Sequence, residues 1–191
     1  MENPERMDFT MTPYPEIDWS QTMGGNDEEG DCGPVALANL MNLWYGPPLV
    51  ERTEVERLYT IASGWTSENP GSDRGVILET LIRDWCANGW PADPTVKPAG
   101  YEAVSTDQAA LMTGVRRYGA LVAAVMLPAD QDFSDDALSE PGTFGHAVLV
   151  VAADPDGVRL VTWASVRRVS WRWWGRFGRQ AFGVERPDPD L

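Results

Sequence analysis

Two short apolar runs that flank a turn sequence restrict the fold of this chain more than any other feature. The runs, 146–152 and 158–163, are rich in valine and leucine. Between them lies Asp154-Pro155-Asp156-Gly157, in which proline fixes φ and glycine supplies a positive φ. Because strands joined by so short a turn pair antiparallel, the pattern predicts a β-hairpin over 146–163.

The first half of the chain has helical periodicity instead. Apolar residues recur three and four positions apart, and each run ends at glycine or asparagine. The predicted helices are 32–46, 53–64, 75–88 and 105–119. Thr53 and Glu56 have the spacing of a capping box. Further strands are predicted at 120–127 and 180–185, with a short helix capped by Ser170 between the hairpin and the last strand. Helices followed by an antiparallel sheet indicate an α+β fold.

The length of 191 residues fits one domain. We predict an extended N-terminal arm at 1–25, a domain at 26–186 and a tail at 187–191. The acidic, proline-rich N-terminus is unlike a signal peptide, and no apolar run reaches the ~20 residues of a membrane span. We therefore expect no signal peptide or transmembrane segment, and a cytoplasmic or virion location.

Charge is distributed unevenly along the chain, whose net charge is −14. Residues 1–158 have 26 acidic and 8 basic side chains, whereas 159–191 have 3 acidic side chains and 7 arginines. The overall field repels nucleic acids and anionic membranes, so we expect neither as a partner. The C-terminal arginines and their neighbouring tryptophans have two interpretations, pairing within the protein or docking of an acidic partner.

Few residues are available for a metal centre, because the chain has one histidine and two cysteines. An ordinary zinc site needs three or four such ligands. Two cysteines also cannot form a disulfide framework. We expect no metal and no cofactor.

The sole histidine, His146, is the natural candidate for a general base, since its ordinary pKa lies near neutrality. Cys32 precedes Pro34 at the start of a predicted helix, where the helix dipole is expected to lower the thiol pKa. Cys86 lies in the middle of a helix and is typical of packing. Taken singly, Cys32 could be a small buried residue and His146 a hydrogen-bonded residue at a strand edge.

Together the two segments resemble the papain-like cysteine peptidases, in particular the bacteriocin-processing branch. The resemblance rests on Gly30-Asp31-Cys32-Gly33-Pro34-Val35-Ala36-Leu37-Ala38-Asn39 and on Gly145-His146-Ala147-Val148-Leu149-Val150-Val151, and it covers about residues 26–185. It implies a papain-like fold in which the cysteine helix packs against a sheet that bears the histidine. It also implies a cysteine peptidase-like hydrolase.

The resemblance assigns roles residue by residue. Cys32 is the expected nucleophile and His146 its base, and Asn26 stands six residues before the cysteine, where the family has an amide that stabilises the oxyanion. The family's Asn or Asp that orients the histidine is missing. Thr162 stands there instead, and its hydroxyl can bond to the ring without carrying charge. Asp154 is expected too far along the hairpin to replace it.

The sequence leaves three functions open. The first is a thiol hydrolase acting on an amide bond of a peptide or protein. The second is a catalytically idle papain-like domain that serves as a structural or binding subunit, for example of a phage virion, through residues 1–25 or the Trp/Arg-rich segment at 163–179. The Val161-Thr162-Trp163 segment is similar to such phage domains. The third is an immunity or inhibitor protein acting through its acidic surface.

Overall fold

A computed structural model of the chain describes residues 30–46, 50–66, 68 and 75–187. The predicted N-terminal arm and Asn26 lie outside these ranges. The helices are α1 (Cys32–Tyr45), α2 (Arg52–Ser63), α3 (Leu78–Asn88), α4 (Gln108–Tyr118) and α5 (Trp171–Phe177). The strands are β1 (Gly100–Val104), β2 (Leu121–Leu127), β3 (Phe144–Asp154), β4 (Gly157–Thr162), β5 (Ser165–Val169) and β6 (Gly178–Glu185). A 3₁₀ helix spans Asp135–Ser139.

The strands form one sheet in the order β1-β6-β2-β3-β4-β5, and every neighbouring pair is antiparallel. The predicted hairpin is confirmed as β3 and β4, which close at the pair Asp154 and Gly157. Strands β1 and β5, at the two edges of the sheet, were not predicted. Both have five residues and mostly exposed or half-buried side chains, so they lack the apolar pattern of a buried strand.

Helices cover both faces of the sheet, which confirms the α+β class. Helices α1, α2 and α3 pack on one face and share a buried apolar cluster with alternate residues of β2, β3 and β6. Helices α4 and α5 pack on the other face with the intervening residues of the same strands. The sheet therefore has no fully solvent-exposed face, and its central strands are apolar on both sides.

Helix α1 is buried on nearly all sides, as its broad apolar pattern predicts. Eleven of its 14 residues are buried. It contacts β3, the strand that carries His146. Gly33 allows a close approach, because a Cβ atom there would lie 2.7 Å from the Val76 side chain. Packing therefore fixes the beginning of α1, where Cys32 lies, against the sheet and the segment before α3.

Three predicted helix starts are wrong by a few residues, among them that of α3, which begins at Leu78 and not at 75. The capping box of α2 is formed by Glu51 and Glu54, not by Thr53 and Glu56. The N-cap must be extended, and Glu51 is (φ −82°, ψ 155°), whereas Thr53 already lies within the helix. Glu56 instead accepts a hydrogen bond from Arg52 at 2.9 Å. Helix α4 begins after Asp107, whose side chain accepts the N–H of Ala110.

The tryptophans that follow Ser170 belong to the core. Ser170 caps α5 by accepting the N–H of Trp173, as predicted. Trp173 and Trp174 are 0% and 1% exposed. Their indole N–H groups donate to the backbone carbonyls of Asp132 and Thr106. These two rings are therefore unavailable to a partner, and the segment offers a partner mainly its arginines.

The C-terminal arginines pair in part with the acidic remainder of the chain. Arg168 lies within 3.5 Å of the carboxylates of Asp154 and Asp156 across the hairpin. Asp154 is thus at the far end of β3 from His146, as expected. The division into an arm, a domain and a tail stays a prediction. Within the described ranges, no helix has the length and hydropathy to cross a bilayer.

Candidate active site

A cleft of about 590 Å³ opens where α1 begins and β3 starts. Cys32, His146 and Thr162 all line it, although they are distant in sequence. The structure therefore brings together three of the four predicted site residues. The fourth, Asn26, lies outside the described residues.

Cys32 is the first residue of α1, and its sulfur faces the sheet. Its Sγ accepts the backbone N–H of Ala147 at 3.3 Å. Ala147 follows His146 in β3 and packs against the core on the α1 side of the sheet. This hydrogen bond joins the cysteine helix to the histidine strand across 115 residues of sequence.

Burial raises the pKa of the Cys32 thiol above its ordinary value. The N–H groups of Ala147 and Gly33 act in the opposite direction, and the charge of Asp31 adds to the effect of burial. The expectation of a lowered pKa is therefore wrong. Removing the sulfur from water disfavours the thiolate by more than the N–H groups at the helix start favour it. Cys32 is a neutral thiol at neutral pH.

The His146 ring is held from two sides. Its Nε2 lies 2.6 Å from Oγ1 of Thr162, the contact expected from the sequence. The ring stacks on Trp163, with centroids 4.5 Å apart and planes inclined by 16°. The side chain is 7% exposed, and burial lowers its pKa to about 4. The imidazole is therefore neutral at pH 7, and Thr162 and Trp163 restrict its orientation.

Trp163 is a site residue that the sequence analysis missed. It forms the two-residue turn between β4 and β5 with Ala164, since Thr162 pairs with Ser165. Both turn residues have positive φ, 45° and 52°. Such turns favour Asn-Gly or Gly-Gly, so the Trp-Ala sequence gave no turn signal. The turn directs the indole onto the His146 ring.

We expect Ala164→Gly to raise the free energy of unfolding by about 1 kcal/mol, because glycine adopts a positive φ without strain. Chemical denaturation measures the change. Ala103→Gly, at an exposed position of β1 with ordinary strand geometry, is the matched control and is expected to lower stability. Equal losses in the two variants would contradict a strained turn.

The segment between β2 and β3, residues 128–143, is rich in acidic side chains and is called the acidic loop below. It borders the cleft through Gln131, which also has a positive φ of 58°. The loop is held by hydrogen bonds, among them those from the backbone N–H and hydroxyl of Ser134 to Asp132. Its acidic side chains Asp130 and Asp132 line a neighbouring groove with Arg167 and Arg168. The loop therefore lies beside the cleft, whereas the carboxylates of Asp130 and Asp132 face the neighbouring groove.

No group of three or more potential metal ligands occurs among the described side chains. The described polar side chains of the cleft include the Cys32 thiol, the His146 imidazole and the Thr162 hydroxyl, together with a carboxylate, a guanidinium and several amides. Of these, the thiol and the imidazole can perform nucleophilic and proton-transfer chemistry on a carbonyl.

Comparison with solved structures shows a papain-like fold. The chain is similar to xylellain, a cysteine protease from Xylella fastidiosa, with a TM-score of 0.61 and 13% identity over 90% of this chain and 86% of that one. It is also similar to the bromelain protease from Ananas comosus, solved with the E64 inhibitor, with a TM-score of 0.56 and 15% identity over 90% and 98% of the two chains. No protein-family model and no curated protein sequence matches the chain.

Proposed function

We propose that the protein is a thiol hydrolase that cleaves an amide bond of a peptide or protein with Cys32 and His146. One observation carries the proposal. The Cys32 sulfur accepts the N–H of Ala147, so the thiol lies at the start of the strand that carries the only imidazole, in a cleft that both residues line. A papain-like fold with a cysteine at this helix start supports the same reaction class.

The proposed reaction begins with an uncharged pair. The sulfur of Cys32 attacks the carbonyl carbon while its proton passes to His146, and a C–S bond forms. His146 then gives the proton to the leaving nitrogen as the C–N bond breaks, which leaves a thioester on Cys32. Water attacks this thioester with the same base, releases the acid and restores the thiol.

The negative oxygen that forms during attack needs hydrogen-bond donors. The backbone N–H of Cys32, at the start of α1, is one candidate. Asn26 is proposed as the second, from the resemblance alone. Each such donor is typically worth ~3–4 kcal/mol of barrier.

Thr162 is the proposed positioning residue for His146. Its hydroxyl can accept an N–H from Nε2 at 2.6 Å, which leaves Nδ1 with a lone pair for the thiol proton. A hydroxyl does not compensate the charge of an imidazolium as a carboxylate would. The stacked Trp163 ring shields this hydrogen bond and adds a favourable contact when the ring is charged.

A second candidate function is a catalytically idle papain-like domain that serves as a structural or binding subunit. The raised pKa of Cys32 and the lowered pKa of His146 favour it, because neither group is charged at neutral pH. The virion role and the bacteriocin-processing branch rest on sequence resemblance alone. In this case residues 1–25 or the exposed C-terminal arginines would contact another chain.

The deciding experiment incubates the full chain with a diverse peptide mixture at pH 7 and identifies cleavage products by mass spectrometry. We expect products that disappear with Cys32→Ala and persist with Cys86→Ser, because the half-buried Cys86 lies in the last turn of α3 and does not line the cleft. A folded protein that yields no Cys32-dependent product would support the idle domain and contradict the hydrolase.

A further inference from the structure

Arg179 is the one arginine or lysine among the described residues that line the cleft with Cys32 and His146. We propose that Arg179 is a specificity-determining residue that binds a carboxylate of the substrate. The inference rests on the proposed hydrolase function and names its substrate class. The carboxylate belongs either to an acidic side chain or to the C-terminus of the peptide.

A β-bulge directs Arg179 towards the cleft. In the pairing of β2 with β6, Ala124 lies opposite Gln180 and Val125 opposite Gly178, so Arg179 is the extra residue. Bulges of this kind turn a side chain out of the regular alternation and are common beside active sites. The bulge also lies level with the site, because Val125 pairs with His146 on the other side of β2.

The order of the strands indicates how far Arg179 lies from the reacting groups. Strands β6 and β3 are separated by β2 alone, which puts the two backbones about 10 Å apart. An extended peptide advances about 3.3 Å per residue, so the bound carboxylate would lie one to three residues from the reacting carbonyl. Such a contact selects a substrate without taking part in the bond-breaking steps.

Two backbone carbonyls orient the guanidinium of Arg179. Its Nη1 donates to the carbonyl oxygens of Arg176 at 2.9 Å and Gly178 at 3.1 Å. The Nε–H and the two Nη2–H groups make no hydrogen bond to a described residue, and no described carboxylate forms an ion pair with them. The Nε–H group and one Nη2–H group point in the same direction, and an arginine binds a carboxylate through two parallel hydrogen bonds from these groups.

The charges of the side chains that line the cleft are compatible with the binding of a substrate carboxylate by Arg179. Among the residues that the structure describes, the titratable ones that line the cleft are Asp31, Cys32, His146 and Arg179. Asp31 is 2% exposed, so its carboxylate lies behind the surface that a substrate meets. Cys32 and His146 are uncharged at neutral pH, which leaves Arg179 as the exposed charge among these described lining residues.

The first test measures charge selection at Cys32 without requiring catalysis. In a Cys86→Ser background, Cys32 is alkylated by iodoacetate, an anion, and by the neutral iodoacetamide, and the ratio of the two rates is taken. We expect Arg179→Gln to lower this ratio about two- to fivefold at low salt, the effect of one charge about 10 Å away near a protein surface.

The matched control is Arg172→Gln, which removes the same charge from an exposed position of α5 that does not line the cleft. We expect this variant to keep the wild-type ratio. An unchanged ratio in Arg179→Gln, or an equal fall in both variants, would overturn the proposal. Circular dichroism of each variant verifies the fold.

A second test identifies the source of the carboxylate by protection of Cys32 from iodoacetamide. Three alanine-rich pentapeptides are compared: one with a central glutamate and blocked ends, one with glutamine and blocked ends, and one with glutamine and a free C-terminus. Protection by the first alone assigns an acidic side chain, and protection by the third alone assigns a chain terminus. Arg179→Gln should abolish either preference.

Equal protection by all three peptides would overturn carboxylate binding. Failure of the hydrolase proposal is a separate result, the absence of Cys32-dependent cleavage products. The alkylation ratio is informative in either case, because it reports the field at the thiol and not turnover.

Discussion

Replacement of His146 with glutamine is expected to lower the rate of Cys32-dependent hydrolysis by about 10²–10⁴-fold, the usual contribution of a positioned general base. Glutamine has a similar length and can still bond to the Thr162 hydroxyl, so the loss would be chemical and not a collapse of the site. Initial rates on a cleavable peptide found in the product mixture provide the measurement.

Two further measurements make the result specific. Wild-type activity should rise with pH through the His146 pKa of about 4, because the neutral imidazole is the base, and the variant should lack this rise. Cys86→Ser is the control and should retain wild-type rates. A His146→Gln variant within threefold of the wild type would remove the imidazole from the mechanism.

Acidification is expected to destabilise the protein through His146 by about 3 kcal/mol between pH 7 and pH 4. Burial lowers the folded-state pKa from 6.5 to about 4. Between these values the unfolded chain binds a proton that the folded chain does not bind, so the free energy of unfolding falls as the pH falls. The stabilisation is complete above pH 6.5 and is lost as the pH approaches 4.

Urea denaturation of wild type and His146→Gln at several pH values isolates this contribution. Exposed carboxylates also titrate in this range, but they do so in both proteins, so the difference between the two curves reports His146. We expect the variant's stability to depend less on pH by about 3 kcal/mol. Parallel curves would mean that folding does not lower the pKa of His146.

Much of the fold follows from local patterns in the sequence. The turn at Asp154-Pro155-Asp156-Gly157 defines the β3–β4 hairpin, and the glycine after each helical run gives the end of α2 and α4. These features are predictable because proline and glycine determine backbone geometry within a few residues. Buried central strands are likewise visible as runs of valine, leucine and alanine.

The edge strands β1 and β5 are less predictable because tertiary pairing, and not apolar periodicity, makes them strands. The same applies to Arg179, whose position depends on a bulge between β2 and β6. The two-residue turn at Trp163 has no glycine or asparagine to reveal it. Each of these features depends on partners far away in the sequence.

The charge states of Cys32 and His146 are the property of the site that is hardest to predict from the sequence. Position at a helix start predicted a lowered pKa for Cys32, whereas burial raises it. The dipole effect is local and follows from the sequence, but desolvation depends on everything that packs around the sulfur. The roles of Cys32 and His146 could therefore be proposed from sequence, but their charge states could not.

The outer edge of β5 affects how copies of this protein can associate. Strand β5 ends the sheet that the described residues form, and a strand edge without a partner is a template on which a second chain can add and aggregate. Arg167 and Arg168 are exposed there, and the charge of Arg168 is offset by Asp154 and Asp156, so two molecules approaching edge to edge would be kept apart mainly by their Arg167 side chains. Replacing Arg167 with a neutral residue should therefore promote self-association at high protein concentration.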